Sequence, residues 1–214
     1  MIMISIKTFV FNPFQENTYL VSDETKQGII IDPGCYFDQE ISELKKYVND
    51  NDLKINYIVC THGHIDHALG MNVVRDTYKA KTILHKGDLG ILNRIKDFGA
   101  TVGIVVDPPR EPDYFIEEGE QLKFGNTLLD ILHVPGHSPG SIALVNKKEN
   151  IVFSGDVLFR RGIGRTDLTG GDYMTLIESI NEKLLTLSDD AVVYPGHGET
   201  TTVKEEREEN PLLL

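Results

Sequence analysis

The chain opens with an apolar, β-branched run, Ile2–Phe11, which predicts a strand. Two more runs follow, Asn17–Ser22 and Gln27–Ile31, separated by the polar turn Asp23-Glu24-Thr25-Lys26, and Asp32-Pro33-Gly34 stops the third. The period then changes. Over 38–49, Ile41, Leu44 and Val48 recur at helical spacing behind Asp38 as a cap. Ile55–Cys60 is short and continuously apolar, which predicts a buried strand. The pattern then predicts a helix from Asp66 to Lys79, a strand over Lys81–His85, and a helix over 88–97 from Leu89, Leu92 and Ile95. Gly99–Pro112, with Pro108-Pro109, reads as loop. A meander follows: Gln121–Phe124, Thr127–Val134, Ser141–Asn146 and Asn150–Ser154, with turns at Gly125-Asn126 and Lys147–Glu149. The clearest helix covers 172–187, where Tyr173, Leu176, Ile177, Ile180 and Leu184 share a face behind Asp172. Ala191–Tyr194 is the last strand, and the acidic Glu205–Glu209 reads as a solvated helix or chain end. Hairpins mixed with crossovers predict a layered α/β fold with mixed sheets.

Composition narrows this. A chain of 214 residues suits one domain over 1–214, and 40% hydrophobic with 25% charged residues excludes a disordered or fibrous protein. The net charge of −12 argues against nucleic acid and against an anionic membrane surface as partners. No apolar run approaches the roughly 20 residues of a membrane span. The N-terminus has no basic leader and no small-residue cleavage site, so it reads as a strand rather than a signal peptide. Cys35 and Cys60 make no CxxC pair, which fits a reducing, cytoplasmic setting. Oligomeric state is not readable from these features.

The chemistry concentrates in Thr61-His62-Gly63-His64-Ile65-Asp66-His67, directly after a predicted strand. His62 and His64, at i and i+2 leaving a strand end, point the same way and can share one ion, while Asp66 and His67 open the next helix. Val134-Pro135-Gly136-His137 and Tyr194-Pro195-Gly196-His197 each present a histidine after a strand, and Ile151–Ser154 ends in Gly155-Asp156. Four ionisable groups packed at one strand end have little structural use and are costly if buried unpaired. With the other three strand-end groups they indicate a metal centre. His85 and His133 are left as ordinary side chains, His133 with a weak claim to support a ligand, and Cys60 as a small buried hydrophobe. No Walker sequence is present.

These segments resemble the metallo-β-lactamase-fold hydrolase superfamily, whose five motifs match in order. Asp32 falls in the first, His62, His64, Asp66 and His67 in the second, and His137, Asp156 and His197 in the third to fifth. The resemblance implies an αββα sandwich of two mixed β-sheets with helices outside. It implies two divalent metal ions, zinc first, with iron or manganese as alternatives. His62, His64 and His137 would hold one, Asp66, His67 and His197 the other, and Asp156 would bridge them. Asp32 would orient a ligand from behind, and Asp66 and Asp156 would serve catalysis.

Within that superfamily, Gly155–Phe159, Gly162–Asp167 and the ending Gly196–Thr202, Glu206-Arg207 and Asn210–Leu212 resemble the short, single-domain form of glyoxalase II, the hydroxyacylglutathione hydrolases. This implies hydrolysis of a small-molecule thioester such as S-lactoylglutathione, by attack of a metal-bridging hydroxide on the acyl carbonyl, in a chain that ends where those short forms end. Arg165 would contact substrate, with Arg160 and Arg161 nearby to offset the acidic charge. Two alternatives use the same fold: a persulfide dioxygenase with one iron on His62, His137 and Asp156, and a lactonase. A β-lactamase fits less well, because Asp156 stands where many zinc β-lactamases use cysteine. A non-catalytic metal module fits least, because seven ligands exceed the four of a closed structural zinc site.

Overall fold

The computed structural model describes residues 4–213; residues 2 and 3 of the expected first strand lie outside them. The elements in chain order are β1 (Ser5–Phe11), β2 (Glu16–Ser22), β3 (Gln27–Ile31), α1 (Asp38–Asp50), β4 (Lys54–Val59), α2 (Ile65–Ala68), α3 (Met71–Tyr78), β5 (Lys81–Leu84), α4 (Leu89–Leu92), α5 (Ile95–Val102) and β6 (Tyr114–Phe115). The second half holds β7 (Gln121–Phe124), β8 (Thr127–His133), β9 (Ile142–Asn146), β10 (Ile151–Gly155), β11 (Leu158–Phe159), β12 (Gly162–Ile163), α6 (Tyr173–Ser179), β13 (Val192–Pro195), β14 (Thr201–Thr202) and α7 (Val203–Glu209).

Two six-stranded sheets form, ordered β1-β2-β3-β4-β5-β6 and β14-β13-β10-β9-β8-β7, with β11-β12 as a separate hairpin. Both sheets are mixed: β3-β4-β5-β6 and β10-β13 pair in parallel, the rest antiparallel. The strand alternation builds the layers. Tyr19, Val21, Ile29 and Ile31 point from the first sheet into a shared core with Phe124, Leu129, Ile131, Leu144 and Phe153 of the second. Leu20 and Ile30, one residue out of phase, point the other way onto Leu44 of α1 and Val74 of α3. On the far side of the second sheet, Ala143, Val145, Val152 and Val193 meet Leu176 of α6 and Val203 of α7. The result is the expected helix–sheet–sheet–helix sandwich, and the inner strands β2, β3, β9 and β10 are buried on both faces because both faces are covered.

Several elements depart from the periodicity. The helix expected from Asp66 to Lys79 is two pieces, because the chain turns at Gly70, whose N–H bonds Pro33 O at 2.7 Å. A Cβ there would lie 2.4 Å from Cys35 Sγ, so only glycine permits this approach. The helix expected over 88–97 is a 3₁₀ turn, Lys86–Asp88, followed by α4 and α5. Helix α5 runs to Val102, into the stretch expected to be loop, and stops at Gly103. Asp172 caps α6 by accepting from Thr175 N at 2.8 Å, but the last turns, Ile180–Leu184, are π-helical. Asp38 does not cap α1; Glu40 does, reaching back to the N–H of Phe37 at 3.0 Å. Strands β6, β11, β12 and β14, two residues each, carry too little pattern to be foreseen.

The acidic end is not wholly solvated. Glu206 is buried, accepts from Thr201 Oγ1 at 2.6 Å and from Asn210 Nδ2 at 2.7 Å, and takes Arg161 N at 2.9 Å, tying α7 to the β11-β12 hairpin. Both cysteines are buried, Cys35 under α1 and Cys60 beneath α2. Among the described residues no helix is long and apolar enough to cross a membrane.

Candidate metal centre

Strands β3, β4, β8, β10 and β13 all finish at the same edge of the sandwich, and each is followed within a few residues by one of the singled-out side chains. Asp32 follows β3, His62 to His67 follow β4, His137 follows β8, Asp156 follows β10, and His197 follows β13. Residues far apart in sequence therefore converge because parallel strands expose their carboxyl ends together.

Two triads result. His62, His64 and His137 each offer a nitrogen, all within 4.8 Å of one another, and Asp66, His67 and His197 do the same with two nitrogens and an oxygen. Asp156 lies between them, with Oδ1 3.4 Å from His67 Nε2 and Oδ2 3.7 Å from His137 Nε2 and 3.6 Å from His197 Nε2. The far nitrogens of four of the histidines are occupied. His62 Nδ1 meets Thr61 Oγ1 at 3.0 Å, His67 Nδ1 meets Asp32 Oδ2 at 3.0 Å, His137 Nδ1 meets Arg165 O at 2.8 Å, and His197 Nδ1 meets Gln15 O at 3.2 Å. In the neutral ring each such contact, made through an N–H, would leave the other nitrogen free to ligate.

Asp32 itself is saturated. Oδ1 accepts from Thr61 N at 2.6 Å, and Oδ2 accepts from Thr61 Oγ1 at 2.7 Å as well as facing His67. It orients two rings, one through Thr61, rather than presenting a free oxygen. Its backbone is left-handed, at φ 51°, which costs energy for an aspartate and is held by these bonds.

The donor set fits metal ions. His62 Nε2, His67 Nε2 and Asp156 Oδ1 are buried atoms without a hydrogen-bond partner, and a buried polar atom left unpaired is costly. All three face the centre, where a cation would satisfy them. The electrostatics agree. Burial alone would depress His67, but Asp156, Asp66 and Asp32 around it hold the imidazole well above its usual range. Burial would raise Asp156, yet His67, His197 and His137 hold it well below the usual carboxylate range. Burial, with the crowd of neighbouring imidazoles, pushes His62 well down, and His64 falls to about 4 for the same two reasons. The carboxylates demand positive charge while His62 and His64 stay neutral, the form in which imidazole ligates.

The centre opens into a cavity of about 1130 Å³. His64, Asp66, His137, Asp156 and His197 stand at its floor; Phe14, Ile91, Ile95, Phe98, Phe159 and Ile163 give it apolar walls.

The profile of the metallo-beta-lactamase superfamily matches residues 11–197. The chain belongs to that superfamily. Hydroxyacylglutathione hydrolase GloC of Haemophilus influenzae is 36% identical over 98% of this chain and 98% of its own length. Bovine mitochondrial persulfide dioxygenase ETHE1 is 34% identical over 92% of this chain and 70% of its own. Among solved structures, the BLEG-1 B3 metallo-beta-lactamase superposes with a TM-score of 0.90 at 34% identity, covering 98% and 99% of the two chains. TTHA1623 in a di-iron-bound form gives 0.88 at 34% identity, covering 97% and 100%. Members of the superfamily are generally hydrolytic enzymes that bind divalent metals, and this chain carries a His/Asp cluster.

Against this superfamily background, three features escaped the sequence. Asp88, expected only as part of a helix, is fully buried. It accepts from Gly63 N at 2.7 Å, Ser138 Oγ at 2.7 Å and Gly140 N at 2.6 Å, and so fastens the loop of His62 and His64 to the loop of His137. The arginines do not gather at the metals as free cations. Arg165 lines the cavity but forks onto Asp167 at 2.7 and 2.8 Å, Arg160 lines it paired with Glu199, and Arg161 turns away to Glu209. Arg94 also lines the cavity and makes no ion pair among the described residues. Finally, His85 and His133 stack, rings 4.2 Å apart, and His133 Nε2 meets Pro139 O at 2.8 Å, just beyond His137.

Proposed function

We propose that this chain hydrolyses thioesters with two divalent metal ions, zinc first, as a hydroxyacylglutathione hydrolase does. The observation that carries the reading is the convergence of both triads on Asp156, with three of the central atoms otherwise unpartnered. His62, His64 and His137 would hold one ion, and Asp66, His67 and His197 the other, with Asp156 shared. Ions so placed would supply a water activated near neutral pH and a polarised carbonyl. The chain's own residues do the rest. Asp32 and Thr61 fix the tautomers of His67 and His62, and the Arg165 carbonyl fixes that of His137. Asp66 and Asp156, about one-seventh exposed, present carboxylates at the cavity floor, where they can accept a hydrogen bond from an attacking water and hold it in line. A thiolate is a good leaving group, so little protonation of the departing atom is needed. Residues 1–214 act as one unit in this reading, with Arg165 at the substrate.

A second reading, a persulfide dioxygenase with one iron on His62, His137 and Asp156, rests on the similarity to ETHE1. The test separates them. Metal-quantified protein is given S-lactoylglutathione while thioester loss is followed, and glutathione persulfide while oxygen is followed. Turnover of the thioester, abolished by chelation and by His62→Ala or Asp156→Ala, is the expected result. Oxygen uptake with one iron per chain and no thioester loss would replace it. A lactone and a β-lactam in the same panel report on the remaining hydrolytic chemistries.

A further inference from the structure

From the 3₁₀ turn through α5, one face looks into the cavity. Gly87, Ile91, Arg94, Phe98 and Thr101 line it, at steps of four, three, four and three residues. Phe98 and, across the mouth, Phe14 leave 43% and 38% of their surface uncovered there. The opposite wall adds Phe159, Ile163 and Leu168.

Gly90, on the same face, has no structural reason to be glycine. Its φ is not left-handed, it sits inside α4 where glycine weakens a helix, and a Cβ there would meet nothing within 4 Å. It lines the cavity, so what it provides is room. Of the arginines on its walls, Arg160 and Arg165 are paired with carboxylates, and Arg94 alone makes no ion pair among the described residues. At about 1130 Å³ the cavity has room for more than a short acyl group.

We infer that this cavity takes a reactant bearing an extended alkyl chain, which lies along Ile91, Phe98 and the gap at Gly90. The inference rests on the hydrolase reading only for which bond is cut; the chain-binding wall stands apart from it. The alkyl group can belong to the acyl part or to the thiol part.

Binding to the metal-loaded protein is measured by calorimetry with two thioethers that cannot be hydrolysed, S-octylglutathione and S-methylglutathione. The octyl compound is expected to bind at least about thirtyfold more tightly, the gain from burying two to three methylenes. Gly90→Leu, which fills the gap, and Phe98→Asn, which removes the wall, are each expected to cut that ratio to about threefold or less. Val105→Ser, at a residue 87% exposed and outside the cavity, leaves it intact. Two kinetic series locate the chain: acyl groups from acetyl to decanoyl on N-acetylcysteamine, and lactoyl thioesters of alkanethiols of the same lengths. A rise of kcat/KM with length in one series supports the inference and assigns the side. Equal affinity for the two thioethers, or a ratio unmoved by Gly90→Leu, overturns it. Octyl preference without turnover of any thioester sinks the hydrolase reading and leaves this inference standing; turnover without octyl preference does the reverse.

Discussion

Asp88 touches none of the candidate ligands, yet its three bonds join the two loops that present His62, His64 and His137. Asp88→Asn keeps the shape but offers one acceptor oxygen where three donors point. Metal affinity, read by competition with a chromophoric chelator, is expected to fall tenfold to a hundredfold while circular dichroism stays native. A second residue-scale expectation concerns His85. Burial, and then the stacked His133, lower its pKa below the ordinary histidine value. The unfolded chain therefore binds more protons than the folded one as pH falls through the ordinary range, so this stack favours folding above that range and loses its effect below it. His85→Asn should shrink the drop in Tm between pH 8 and pH 5 relative to the unaltered protein. The candidate ligands were readable from sequence because four of them share six residues and the others end strands in repeated Pro-Gly-His or Gly-Asp signatures. Asp88 was not, because a lone aspartate before a helical pattern looks like a cap, and its partners are distant in sequence.

At the scale of elements, long strands and helices could be read and breaks could not. The paired faces of β2 and β3 show as continuous apolar runs, whereas the split between α2 and α3 depends on Gly70 meeting Cys35 and Pro33, contacts that no local pattern encodes. The turn after β8 and helix α6 make a similar close approach. Gly136 lies at φ 129°, and a Cβ on it would come within 2.3 Å of the backbone of Leu176. Gly136→Ala must move either α6 or the turn that carries His137. It should destabilise the protein by roughly 3 kcal/mol or more, from strain and lost packing together. Urea unfolding of the metal-free protein would measure it, and a change under about 1 kcal/mol would contradict this close approach.

For the molecule as a whole, the apolar layer between the sheets contains none of the candidate metal ligands. Metal removal should lower Tm by mass action and return it on reloading, without unfolding the chain at room temperature. Unfolding on gentle chelation would instead mark the metals as structural. The overall architecture was readable because alternating burial on two faces leaves a strong signature, while the arginine pairings were hidden because side-chain partners are set by loops. The cysteines carry a practical consequence. Burial, chiefly, lifts Cys35 to about 12 and Cys60 well above a free thiol, so neither supplies thiolate at neutral pH. A chromogenic disulfide reagent added to the native protein alone should therefore stay colourless, and report two thiols per chain only after denaturation. The proposed thioester hydrolysis would then be followed continuously by thiol release, with no background from the protein's own sulfur.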